Sequence, residues 1–174
     1  MWKIFAPILL VIIVVAAYLL YDKDDREWYS TEKVAIDHGL KIEGLQESDI
    51  VSIDKSFEET FVIFQKDMKI GVATISKNDK GFSWYRSTPY ASYDTANQAI
   101  PYTYFGFDLQ SEFGNKYKLF SGIIYNKNIK KLGLFYNNAL LQEREIDTNI
   151  TPIYYFLVKD ENYVNTNMQV KEIK

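Results

Sequence analysis

The 174-residue sequence contains no cysteine. That excludes thiol catalysis, thiolate metal sites, disulfide staples and a lipid-modified N-terminal cysteine. Histidine occurs once, as His38, so a nucleophile paired with an imidazole base has a single candidate base. G-x-S-x-G is missing, and the eight glycines never form G-x-G-x-x-G. A basic surplus is missing too: 20 Lys and Arg stand against 23 Asp and Glu. Without excess cations to replace the counterions of a phosphate backbone, nucleic acid is not an expected partner. Asp22, Asp24 and Asp25 crowd together but lack the glycine and closing glutamate of an EF-hand loop. They read as a solvated charge cluster, so no metal or other cofactor is expected, and no enzymatic activity.

Charge is also absent from residues 4–21, IFAPILLVIIVVAAYLLY. Eighteen residues at about 1.5 Å each reach about 27 Å, close to the hydrocarbon thickness of a bilayer. Trp2 lies at one end and Tyr18 and Tyr21 at the other, where amphipathic rings favour the headgroup level. Three readings compete. A single-pass signal anchor over residues 1–21, contacting the membrane through 4–21, fits the length and flanks best. A cleaved signal peptide would use Val15 and Ala17 ahead of a cut before Tyr18. A core helix would need burial on every face, since the segment has no polar side. Lys3 precedes the run, whereas Lys23, Arg26 and Lys33 follow it. Counting cations alone leans against a cytoplasmic N-terminus being retained inside. A very short head before a large C-terminal domain looks like an export signal, and an extracytoplasmic domain at the cell membrane is the expectation. The absence of cysteine fits an exported domain and a cytosolic one equally.

Residues 22–49 read as a juxtamembrane linker carrying a short helix over 31–38. Thr31 can cap it, Glu32 lies in its first turn, and Gly39 suits the C′ position. His38 then sits at the helix end, where a cation is favourable. Residues 39–49 read as loop. From residue 50 to 174 the pattern is β. Candidate strands are 50–53, 61–65, 70–75, 82–86, 104–109, 117–125, 131–136, 140–146, 153–159 and 168–173, separated by turn-rich stretches such as Asn78-Asp79-Lys80-Gly81 and Asn137-Asn138. In 70–75, Ile70, Val72 and Thr74 face one way and Gly71, Ala73 and Ile75 the other. Closely spaced short strands without alternating helices predict a mainly β fold: an antiparallel sandwich or partly open barrel after one transmembrane helix and a short helix.

Aromatic residues form 16% of the chain, with 14 Tyr and 11 Phe, and they concentrate over residues 82–125. Trp84, Tyr85, Tyr90, Tyr93, Tyr102 and Tyr104 are candidate ligand- or partner-binding residues, with Arg86 as a polar contact. Aromatic faces stack on flat or apolar ligand surfaces and anchor protein interfaces. The competing reading is packing, because aromatics are ordinary strand residues. The leading functional expectation is a single-pass membrane protein whose β domain binds a protein or envelope component through residues 84–104. An alternative from another class is an envelope hydrolase using Glu143 and Glu145, which share a strand face. It requires two carboxylates converging in a cleft with one pKa raised. An accessory or immunity-type subunit, working by surface complementarity, is the third.

The segments FVIFQKDMKIGVATISKNDKGFSWYRS, LFSGIIYNKNIKKLGL and IYYFLVKDENYV carry a further likeness. The hairpin, the Trp strand after a Gly turn, the Gly-Ile-Ile strand and the late aromatic strand together resemble a group of small uncharacterised proteins of Gram-positive bacteria. The likeness spans residues 50–173. It implies an N-terminal membrane anchor and an exported β-rich domain, and it carries no activity or site residue with it.

Overall fold

Thr31 opens the first element. Its backbone is extended, and its hydroxyl oxygen accepts from the Val34 N–H at 3.2 Å, satisfying one of the helix's orphan donors. The helix that follows, α1, runs Glu32–Glu43 and stops at Gly44, which takes φ 64°. The Gly44 and Leu45 N–H groups then reach back to the Lys41 and Leu40 carbonyls, a left-handed C-terminal cap that glycine enters without steric cost. The expected helix over 31–38, capped at Gly39, is five residues too short, and part of the expected loop over 39–49 is helix. Gly39 is instead buried within the helix, where a methyl group would overlap the Trp84 ring. Beyond it Leu40 is buried, and that packing outweighs the roughly 1 kcal/mol that a mid-helix glycine costs. His38 is therefore internal to α1. It lies 3.3 Å from a Glu27 carboxylate oxygen and packs on the Tyr29 ring. A 3₁₀ turn over Glu47–Asp49 leads into the strands.

The computed structural model describes residues 26–93, 100–160 and 167–173. The expected anchor over 1–21 lies outside them. Among the described residues, no helix is long and apolar enough to cross a membrane.

Among the described residues eleven strands follow: β1 Ile50–Ser56, β2 Glu59–Lys66, β3 Lys69–Asn78, β4 Gly81–Arg86, β5 Ala91–Ser92, β6 Phe105–Gln110, β7 Lys116–Ile123, β8 Lys131–Tyr136, β9 Ala139–Glu145, β10 Ile153–Lys159 and β11 Met168–Glu172. Three hairpins close on two residues that both take positive φ: Phe57-Glu58, Asp67-Met68 and Asn137-Asn138. Such turns match the strand twist. Only the Asn pair announces itself by residue type, and β1 accordingly runs further than the sequence suggested.

Among the described residues all strand pairing is antiparallel, in three sheets, and no barrel closes. Sheet 1 has the order β1-β2-β3-β4, with β5 also on β3; sheet 2 is β10-β7-β6; sheet 3 is β11-β8-β9. Strand alternation divides the apolar residues among three cores. On β2, Val62 and Phe64 meet Ala35, Ile36 and Leu40 of α1, while Phe61 and Ile63 meet sheet 2. On β3, Ala73 and Ile75 point to the helix and Ile70 and Val72 to sheet 2, the division that alternation predicts. On β10, Tyr155 and Leu157 join sheet 1, and Tyr154, Phe156 and Val158 join Leu132, Leu134 and Val170 of sheet 3. The layers therefore run α1, sheet 1, sheet 2, sheet 3. Sheet 2 is covered on both faces, which is why β7 and β10 read as near-continuous apolar runs.

Candidate functional site

The seven aromatic-region residues do not share one groove. Trp84 faces α1, lies on Gly39 and packs 5.8 Å from the Phe64 ring. Its indole N–H is buried without an acceptor among the described residues. Arg86 and Tyr90 join it on that side of sheet 1. The Arg86 guanidinium sits 4.1 Å over the Tyr90 ring and 4.8 Å over Phe64, and pairs with Glu43 at 2.7 Å. Its Nε–H donates to the Thr88 carbonyl at 2.6 Å. This cluster ties β4 and the segment after it to the end of α1. Tyr93 lies between sheets 1 and 2, with its hydroxyl 3.3 Å from Ser121 Oγ, and burial pushes its pKa up to about 12. Tyr102 belongs to the core between sheets 2 and 3, where its hydroxyl donates to the Val170 carbonyl at 3.0 Å. Tyr85 and Tyr104 are the exposed members, at 37% and 49%.

Glu143 and Glu145 share the outer face of β9, as alternation predicts. Both pair with Lys131, at 3.2 and 3.0 Å, and both side chains are more than half exposed. Neither lines a concavity among those resolved. Two other polar clusters are internal braces. Lys118, with a side chain only 7% exposed, lies 2.7 Å from Asp108 and 3.6 Å from Asp160. Burial acts to lower its pKa, but the two aspartates outweigh that and raise it. One carboxylate oxygen of Glu59 collects Ser111 Oγ, Asn115 Nδ2 and the Tyr117 hydroxyl at 3.0, 2.5 and 2.9 Å. Among the described residues, no group of three or more His, Asp or Glu is arranged to hold a metal ion.

Two concavities lie beside β1. This strand ends the order of sheet 1 and is laddered on one side, to β2. No other strand among the described residues pairs with it. The neighbouring edge, β10 of sheet 2, lies under side chains of sheet 3, one of which, Arg144, also comes within 4.0 Å of Asp54 on β1. Gln142 Nε2 donates to the Leu157 carbonyl at 2.8 Å, and the Arg144 guanidinium lies 3.8 Å over the Tyr155 ring. Side chains of sheet 3 thus blunt the β10 edge, a recognised protection for exposed strands. The Tyr155 hydroxyl reaches Ser52 Oγ at 2.8 Å and Asp54 Oδ2 at 3.1 Å, which locks that face of β1 to sheet 2.

One concavity lies on the α1 side of β1 and a second at its start. Between α1 and β1 a space of about 380 Å³ has Ile36, Ile50 and Ile53 as its apolar part and Lys33, Asp37 and Glu47 among its charged groups. Lys55 and Glu32 bridge α1 to β1 there at 2.7 Å. Burial alone would raise the Glu32 pKa, but hydrogen bonds from Lys55 and Thr60 and the Lys55 charge lower it. The second space, about 660 Å³, opens at the start of β1. Asp49, Ile50 and Val51 form one wall, the Lys66-Asp67 turn another, and Ile150 and Pro152 the third. Ile150 is 81% exposed, unusual for an isoleucine in a folded domain. A bulge between Ile50 and Ser52 lets Ile50 line both spaces.

Sequence reasoning missed this edge because strand order is not written locally. The one available signal was the polar alternation Ser52, Asp54, Ser56, which marks a half-covered strand. No family model matches the chain, and neither a curated protein nor a solved structure matches it.

Proposed function

We propose that the chain is a single-pass membrane protein whose extracytoplasmic β domain binds a partner protein, taking an extended segment of it at the β1 edge. The observation that carries the reading is the edge of β1 that no strand pairs among the described residues, with one concavity on its α1-side face and a second at its start. An added strand gains main-chain hydrogen bonds from the edge and sends alternate side chains to opposite faces. On β1 the α1-side face opens to an isoleucine-lined space, and the larger polar space lies at the strand's start. The uncharged run 4–21 supports the anchor, and a tether raises the effective concentration of the edge towards other membrane proteins. Of the seven aromatic-region residues, Tyr85 and Tyr104 remain available as peripheral contacts, and Trp84, Arg86 and Tyr90 fix the helix that walls the smaller space.

The test uses the full chain in lipid nanodiscs. A random-peptide library is panned on it, and backbone amide exchange is compared with and without a retained peptide. Protection centred on residues 50–54, with affinity falling about tenfold or more in Ile53→Asp at unchanged melting temperature, supports strand addition. Retained peptides that protect other segments, or no retention at all, defeat it.

A further inference from the structure

We infer that the end of the domain formed by turns 57–58 and 111–115 rests on the bilayer surface, with Phe57 and Phe113 at headgroup level. This rests on the anchor reading of residues 4–21 and adds an orientation to it.

The argument begins where the described chain begins. Four residues separate Tyr21 from Arg26, a reach of at most about 17 Å. Arg26 pairs with Glu112, whose side chain is only 4% exposed. A carboxylate buried to that degree is strongly destabilising without its cation, so the contact fixes where the chain enters the domain. The entry point is the β6–β7 turn. Phe113, next to Glu112, is 58% exposed. Glu59 joins this turn to the β1–β2 turn, because Ser111, Asn115 and Tyr117 all converge on it. Phe57 there packs 5.7 Å from the Tyr117 ring and is still 41% exposed. It also takes φ 56°, a conformation costly for an aromatic residue.

Two exposed phenylalanines thus stand at the end of the domain where Arg26 is held, and Arg26 is at most about 17 Å along the chain from Tyr21. Arg26 lies over the Trp28 ring at 5.3 Å, and the exposed Lys116 closes the same turn. Glu58 adjoins Phe57, and Glu112, paired with Arg26, adjoins Phe113; exposed rings with cations such as Arg26 and Lys116 nearby suit a membrane interface. The other end, with Ile150 and the Asp67-Met68 turn, points away.

A chain without cysteine suits single-site probes. An environment-sensitive fluorophore is placed on Val11→Cys, Lys116→Cys or Ile150→Cys of the full chain, reconstituted in phosphatidylcholine–phosphatidylglycerol vesicles. Quenching by lipids spin-labelled at the headgroup or mid-chain is then read. The expected result is mid-chain quenching at 11, headgroup-level quenching at 116 and none at 150. Adding Phe57→Ser and Phe113→Ser should abolish the quenching at 116 and leave that at 11. Quenching at 11 with none at 116, or quenching at 116 that survives the double substitution, overturns the orientation alone. Absence of quenching at 11 overturns the anchor and the orientation together.

Discussion

Trp84 and Tyr85 are adjacent and their sequence signals are alike, yet the structure separates their roles. Trp84 lies on Gly39 and against Phe64, whereas Tyr85 is on the opposite, exposed side of β4. Trp84→Ala is expected to cost about 3 kcal/mol, since truncating a large packed side chain removes both transfer energy and contacts. Tyr85→Ala should stay within about 0.5 kcal/mol. Urea unfolding of both variants decides it, and equal midpoints would refute the packing of Trp84. Gly39 shows why the sequence misled at this scale. A glycine needed for close approach and a glycine needed to end a helix look identical until the ring above it is known. Gly44, five residues on, carries the positive φ that the sequence reading assigned to Gly39.

Among elements, α1 and β1 define the smaller space, and the Glu32–Lys55 bridge spans it. The Glu32 pKa is lowered in the fold. A lowered carboxylate contributes stability that is present above its unfolded pKa and lost as pH falls through the folded one. Glu32→Gln should therefore narrow the stability difference between pH 7 and pH 3 relative to the unmodified chain. Lys55 is largely exposed, so the effect is screened and amounts to no more than about 1 kcal/mol. Thermal melts at the two pH values measure it, and an unchanged difference would sink the claim. Strand positions were legible: apolar runs such as 153–159 and turn residues such as Asn137-Asn138 fixed them. Partnership was not. β2, β3, β7 and β10 are each apolar on both faces, and alternation says which residues share a face without saying what covers it.

For the whole molecule, the same ambiguity decided between a two-sheet sandwich and a helix over three stacked sheets. Sheet 2 is the layer common to two cores, and the phenols on or packed against it report on the stack. Burial is the largest influence on the raised pKa values of Tyr93, Tyr102 and Tyr154. A phenol raised in the fold contributes stability that is complete below its unfolded pKa near 10 and lost as pH rises through the folded value. For Tyr93 that window runs from about 10 to about 12, worth about 3 kcal/mol across it. Stability should fall steeply above pH 10, and Tyr93→Phe should flatten the fall while changing neutral stability by about 1 kcal/mol or less. Denaturant midpoints across pH 8–11 test this, and parallel curves for the two proteins would refute it.

The direction of β1 has its own consequence. It runs from Ile50, beside the larger space, to Ser56, beside the turn that bears Phe57. With that turn on the bilayer, β1 is a strand that descends towards the lipid. A segment laid antiparallel on it must climb, its N-terminal end low and its C-terminal end high. Chains that leave the same bilayer at their N-terminal side already travel that way, and chains heading back into it do not. If that orientation and antiparallel strand addition both hold, the polarity of the edge would sort neighbours by how they are threaded through the membrane before any side chain is read.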